Sequence, residues 1–216
     1  MKILKLTKGI YHIRCESSKE LGMAFLRLQE YYESVKFKGK IFSIEEFKKW
    51  WVRNTKLGRK SGKFIYCQYF DGFNIPSRVL EPFYKGKFNP LTKWEKQILA
   101  QLKKIKEKKF YIIGTRKSTK PDILKHEIAH SFYHSFPKYK TRVNRAMKKL
   151  DRKSRKKLDK FLKQTAYHPS VIKDERHAYL LSGKESIKDA GLSIRQVEPV
   201  FSKLKQVFSE TARAVI

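Results

Sequence analysis

The sequence has 216 residues, of which 51 are Lys or Arg and 20 are Asp or Glu, so its formal net charge is +31. Hydrophobic residues make up 40% and aromatic residues 13%, which is enough apolar side chain to bury a core and excludes a disordered basic tail. No apolar run approaches the roughly 18 residues of a membrane span, and the charges near Met1 are unlike a signal peptide. We therefore expect a cytoplasmic protein with no membrane partner.

Cysteine usage agrees with that compartment. The chain holds two cysteines, Cys15 and Cys67, which are too few for a disulfide framework or a thiolate metal cluster. Each lies in an apolar stretch with no second Cys or motif His beside it. We expect both to be buried structural thiols.

The positive charge has two interpretations. One is attraction to a polyanion such as nucleic acid, supported by basic clusters at Lys103–Lys109 and Lys148–Lys163. The other is a lysine-rich surface that reflects the composition of a lineage and keeps the protein in solution. Charge alone does not name the function.

Hydrophobic patterning predicts strands and helices in the first half of the chain. Strands are expected at Lys2 to Leu6 and Ile10 to Cys15, with Gly9 at the turn, and a helix is expected from Ser17 to Ser34. Ser43-Ile44-Glu45-Glu46 is a capping box that opens a short helix. A basic loop over residues 54–63 and an aromatic strand at Phe64 to Phe70 follow, with a turn at Asp71-Gly72.

A second capping box, Thr92 to Glu95, begins a helix through Lys106, and a strand at Phe110 to Ile113 ends at Gly114. Pro121 and Asp122 indicate the start of a helix that stops before Pro137. A basic helical stretch is predicted over residues 139–164, with a break near Asp151. After a second break at His168-Pro169, two last helices are predicted over residues 170–182 and 194–215. The predicted fold class is α+β, a small sheet packed with helices.

The chemistry is concentrated in Lys125-His126-Glu127-Ile128-Ala129-His130, which is an HExxH motif inside a helix. Residues four apart lie about 40° apart around a helix and one turn along it, so His126 and His130 can both reach one ion. Neutral imidazoles suit Zn²⁺. Glu127 is placed beside the first ligand to act as general base toward metal-bound water.

A catalytic zinc site needs a third protein ligand and an open position. His134 continues the spacing of four, but eight helical residues rise about 12 Å, so it cannot share an ion with His126. We expect His134 to line the cleft or cap the helix. Glu175 is the favoured third ligand because it lies on the inward face of the helix over residues 170–182. Asp174, His177 and His168 remain alternatives, although His177 and Glu175 cannot both face the metal.

The HExxH helix followed by a helix bearing Glu175 resembles the gluzincin zinc metallopeptidases, most closely minimal gluzincins and ImmA/IrrE-like proteins. The resemblance covers residues 110–182. We expect a single zincin-like domain over residues 1–216, with an N-terminal part at 1–109, a metal-site part at 110–182 and a C-terminal helix at 183–216. The resemblance implies zinc-dependent hydrolysis of a peptide or protein substrate, with one zinc per chain and with Glu127 transferring the proton.

Residues for the oxyanion and the substrate are less defined by the sequence. Candidates for an oxyanion contact are Tyr179, His168, His134 and Tyr167. The predicted strand at Phe64 to Phe70 is more typical of a core strand than of an edge strand for a peptide. The tryptophans have the helical spacing of core residues, which we favour over base stacking, and they are Trp50, Trp51 and Trp94.

Two other functions remain open. The charge is compatible with a basic nucleic-acid-binding protein, or with a protease acting on nucleic-acid-bound proteins as SprT-like enzymes do. The zinc site would instead be structural, within a regulatory module, if four protein ligands closed it.

Overall fold

The computed structural model describes residues 1–164 and 168–216 and has the predicted α+β class. Within these residues it holds a four-stranded mixed sheet and twelve α-helices. Tyr167, one of the oxyanion candidates, lies outside the described residues.

The chain forms two compact units. The first consists of Met1–Leu4 and His12–Ser118, and the second of Lys5–Tyr11 and Thr119–Ile216. The single zincin-like domain stays a prediction.

The four strands have the order β1-β2-β4-β3 in the sheet, where β1 is Lys2–Thr7, β2 is Ile10–Cys15, β3 is Gly72–Pro76 and β4 is Tyr111–Arg116. The N-terminal pair and its turn at Gly9, which has a φ of 73°, confirm the predicted hairpin elements. Strand β3 runs antiparallel to β4 and occupies one edge of the sheet.

The helices of the first unit are α1 (Ser18–Glu33), α2 (Ile44–Asn54), α3 (Lys56–Ser61), α4 (Tyr66–Tyr69), α5 (Glu81–Tyr84) and α6 (Lys93–Leu102). Three of the longer ones begin where the sequence predicts. Ser17 and Ser43 accept hydrogen bonds from the backbone N–H three residues on, and Thr92 and Glu95 form a complete capping box. Helix α6 ends at Leu102, four residues before the predicted end.

The core of the first unit is aromatic. Phe25 of α1 stacks on Phe73 of β3 with ring centroids 5.5 Å apart. Trp51 is buried, while Trp50 and Trp94 are partly buried against the same core, which confirms the interpretation of the three tryptophans as core residues. Cys15 is buried and Cys67 partly buried, and both are free thiols.

The predicted strand at Phe64 to Phe70 is wrong. Residues Tyr66–Tyr69 form α4, and the strand is β3, which begins at the Gly72 predicted to lie in a turn. Tertiary contacts override the strand propensity of these aromatics, because Tyr66 packs edge-on against Phe47 and donates a hydrogen bond to Glu30.

Two further local predictions are corrected. The basic loop predicted over residues 54–63 contains α3, whose first turn is capped by the Thr55 hydroxyl. Gly114 does not end its strand but lies inside β4. A Cβ atom there would lie 2.5 Å from the Phe25 ring, so the close approach of α1 requires glycine.

The second unit is helical apart from its short N-terminal segment. Its helices are α7 (Pro121–Ser135), α8 (Pro137–Lys148), α9 (Arg152–Gln164), α10 (Ile172–Leu181), α11 (Lys184–Asp189) and α12 (Ile194–Val215). The predicted stop before Pro137, the break near Asp151 and the bounds of the last helix are confirmed. Helix α11 was not predicted.

Helix α7 is central to this unit because it packs against both α8 and α10. Its Phe132 is fully buried and contacts Tyr139 of α8 and Phe208 of α12. These contacts hold α7 against α8 and α12, and α10 packs beside α7. Among the described residues, no helix is both long enough and apolar enough to cross a membrane.

Candidate metal centre

Three side chains from α7 and α10 converge in the second unit. His126, His130 and Glu175 each offer a ligand atom, and these atoms lie within 4.8 Å of one another. The Nε2 atoms of the two histidines are 3.0 Å apart. The Glu175 oxygens lie 3.7 Å from Nε2 of His126 and 3.5 Å from Nε2 of His130. The ligand set predicted from the sequence is therefore brought together as a group that could hold a metal ion.

The tautomer of His126 follows from its hydrogen bonds. The Ser182 hydroxyl donates to the carbonyl oxygen of Ala178 at 2.9 Å, so its lone pair is what faces Nδ1 of His126, also at 2.9 Å. His126 therefore donates through Nδ1–H, and its Nε2 lone pair points toward His130. This is the arrangement that a metal-binding imidazole needs.

His130 is oriented in the same way by a carboxylate. Its Nδ1 lies 3.0 Å from Oδ2 of Asp174, and the His130 side chain is 2% exposed. Asp174, an alternative third ligand in the sequence analysis, thus contacts the outer nitrogen of His130 and is not in the group of three. It fixes the ring so that Nε2 faces the site.

The two histidines have opposite pKa shifts. Burial, together with the neighbouring His130, holds the pKa of His126 well below its ordinary value. Burial also opposes protonation of His130, but the carboxylates of Asp174 and Glu175 outweigh it and hold the pKa of His130 well above its ordinary value. The raised pKa of His130 and the 3.0 Å between the two Nε2 atoms favour a positive charge at this point of the site. A metal ion is the alternative cation that two nitrogen lone pairs and a carboxylate would bind.

Glu127 follows His126 on α7 and its side chain is buried, with the residue 5% exposed. It is not one of the three converging ligands. Its role as the general base stays a prediction.

His177, another alternative ligand, has a structural position. It is fully buried, its Nδ1 lies 2.5 Å from the carbonyl oxygen of Asp174, and its ring stacks on Tyr133 with centroids 4.9 Å apart. Burial lowers the pKa of His177 to about 4, so the ring is neutral and donates its one proton to that carbonyl. His177 packs α10 against α7 and lies outside the ligand group.

The remaining oxyanion candidates differ in how close they lie to the possible metal ligands. The Tyr179 ring centroid is 5.3 Å from that of His126, and Phe161 of α9 packs edge-on against Tyr179. His168 is bound within its own turn, 2.8 Å from the Ser170 hydroxyl, and His134 is exposed in the last turn of α7. Tyr179 is thus the oxyanion candidate whose described contacts include a ligand residue.

Sequence reasoning missed the two residues that orient the histidines. Ser182 lies seven residues after Glu175, two turns along one face, so the helical spacing was a usable signal for it. The sequence suggests Asp174 only as a possible ligand, because its contact with His130 depends on how α10 packs against α7.

Comparison of the chain with protein-family models, with curated proteins and with solved structures finds no match.

Proposed function

We propose that the protein is a cytoplasmic zinc-dependent metallopeptidase. The observation that carries the proposal is the convergence of two imidazole Nε2 atoms and one carboxylate, with both histidine tautomers fixed by Ser182 and Asp174. The resemblance of the HExxH helix and the glutamate helix to gluzincins supports the same class.

His126, His130 and Glu175 would hold the zinc ion. When bound there, zinc supplies Lewis-acid chemistry, lowering the pKa of water and polarising a carbonyl group. Glu127 takes the proton of the attacking water and returns it to the leaving amine. Tyr179, beside His126, is the residue we propose for hydrogen bonding to the substrate oxygen as negative charge develops.

Glu127→Gln tests the role of the base. The amide keeps the size of the side chain but cannot accept the proton, so hydrolysis of an unfolded protein substrate should fall by a factor of about 100 or more. Zinc content should stay at the wild-type level, since Glu127 is not a ligand. Glu185→Gln, on the exposed start of α11, is the matched control and should keep full activity. An active Glu127→Gln variant would contradict the mechanism.

A second candidate function is favoured by the distribution of charge. Residues 137–164 contain 13 Lys or Arg and 2 acids. We propose that the same protein associates with nucleic acid, so that its peptide substrates include nucleic-acid-bound proteins. Binding of a labelled DNA duplex at rising salt tests this, because phosphate contacts give a steep loss of affinity.

A further inference from the structure

The positive charge of α8 and α9 is not neutralised locally. Of the two acids in residues 137–164, Asp151 caps the N-terminus of α9 through the Ser154 N–H, and Asp159 pairs with Arg176 at 2.6 Å. Arg142 pairs with Glu210, and Arg155 donates to carbonyl oxygens at the end of α8. Both acids therefore already have partners, and most of the Lys and Arg side chains of α8 and α9 form no ion pair with a carboxylate of the described residues.

Four of these cations form one row on the outward face of α9. We define this row, Arg152, Lys156, Lys160 and Lys163, as the α9 basic face. At about 100° per residue it lies opposite the buried face of Ser154, Leu158 and Leu162. Within residues 1–164 and 168–216, no carboxylate pairs with any of the four. They span about 16 Å of helix, with neighbours in the row about 5 to 6 Å apart along the axis.

The chemistry of this face fits a chain of phosphates better than a lipid surface. An amphipathic helix binds a membrane by inserting apolar side chains, but Leu158 and Leu162 are fully buried and turned inward. B-form DNA carries about one negative charge per 1.7 Å of its axis, so the face can neutralise several phosphates at once. Among the described residues of α9, the one aromatic side chain, Phe161, is partly buried and lies off this face, which favours contact with the backbone of a duplex.

The α9 basic face lies on the outer side of a helix whose inner side contacts the glutamate helix. Asp159 bonds to Arg176, the residue after Glu175, and Phe161 packs on Tyr179. A phosphate backbone bound there would lie across α9 from α10.

We propose that the α9 basic face is the surface by which this protein binds the phosphate backbone of a nucleic-acid duplex. The proposal rests on the nucleic-acid association proposed above and gives it a location. It is independent of the metal site, since none of the four side chains is a metal ligand.

The test compares two variants of the full chain with equal net charge. The first, R152Q/K156Q/K160Q/K163Q, removes the α9 basic face. The matched control, K36Q/K40Q/K56Q/K60Q, removes four exposed cations from the first unit. Glutamine has a helix propensity similar to that of Lys and Arg, so both variants should fold, which circular dichroism checks. If the fourfold α9 variant loses helicity, the pairs R152Q/K160Q and K156Q/K163Q replace it.

The probe is a labelled DNA duplex of mixed sequence, titrated at several salt concentrations. For the α9 variant we expect about tenfold or greater loss of affinity near 0.15 M salt. The slope of log K against log salt should also become shallower by about 0.9 for each phosphate that the variant no longer neutralises. The control should keep an affinity within about threefold of wild type and an unchanged slope.

The other outcomes have distinct meanings. Equal decreases of affinity in both variants would overturn the α9 surface and leave a nucleic-acid association through the general field of the protein. Absence of salt-dependent duplex binding by the wild-type chain would overturn both. Binding to phosphatidylserine vesicles in place of the duplex would overturn the choice of partner.

Discussion

At the scale of single residues, the candidate site is built so that a proton and a metal ion compete for one nitrogen. The carboxylates of Asp174 and Glu175 outweigh the burial of His130 and hold its pKa well above its ordinary value, which favours the protonated ring when no metal is bound. A metal ligand must present a neutral imidazole, so binding of zinc has to displace that proton.

The first residue-scale prediction concerns pH. While His130 is protonated in the metal-free state, apparent zinc affinity should rise by about tenfold per pH unit. The pKa of His130 is raised, so its ion pairs stabilise the metal-free fold below its ordinary pKa of about 6.5 and are lost as pH rises through the folded value. Between pH 6 and 8 the zinc-free protein should therefore lose stability as zinc binding gains strength, measured by thermal unfolding with and without zinc.

Asp174→Asn separates this account from a general pH effect. Loss of the carboxylate lowers the pKa of His130, so zinc affinity should become less pH-dependent near neutral pH. Affinity at pH 8 should also fall by about 10- to 100-fold, because His130 is less firmly oriented. Asp189→Asn, on the exposed end of α11, is the matched control and should behave as wild type. An unchanged pH profile in Asp174→Asn would contradict the assignment.

At the scale of elements, local sequence signals located the boundaries and tertiary contacts decided the exceptions. The capping residues Ser17, Ser43 and Thr92 act within four residues, so the starts of α1, α2 and α6 could be predicted. The helix α4 and the passage of β4 through Gly114 depend on partners distant in the sequence. The sequence pattern of residues 64–70 therefore cannot predict that Tyr66 packs against Phe47.

The element-scale prediction is Gly114→Ala. The added methyl group would meet the Phe25 ring at 2.5 Å, so α1 and β4 must separate or the ring must leave its position. We expect a free energy of unfolding lower by about 1 to 3 kcal/mol, measured by urea denaturation. Adding Phe25→Leu gives the methyl group space, so the double variant should be less destabilised than the sum of the two single variants. Additive decreases in stability would show that the Phe25 ring is not the cause.

At the scale of the whole molecule, composition and motif predicted different things. The hydrophobic content and the alternation of patterns predicted an α+β fold, which the structure has. The HExxH spacing predicted two ligands on one helix face, and the inward position of Glu175 predicted the third member of the group. The contacts of Ser182 and Asp174 with the histidines depend on how α10 packs against α7. Residue spacing within a single helix cannot predict that packing.

The net charge of +31 acquires a location in the second unit. The charge is spread along the whole sequence. On α9, part of it forms a row of four cations that have no carboxylate partner among the described residues. None of these four cations belongs to the group of possible metal ligands, so the metal site and the row can be tested separately.

The most direct test of the central claim is metal analysis of the full chain after zinc reconstitution, combined with zinc X-ray absorption. We expect one zinc per chain, bound by two imidazole nitrogens, one carboxylate and one oxygen that the protein does not supply. Loss of zinc in His130→Gln, and its retention in the matched variant His168→Gln, should accompany that result. A reconstituted protein without zinc, or a closed shell of four protein ligands, would contradict it.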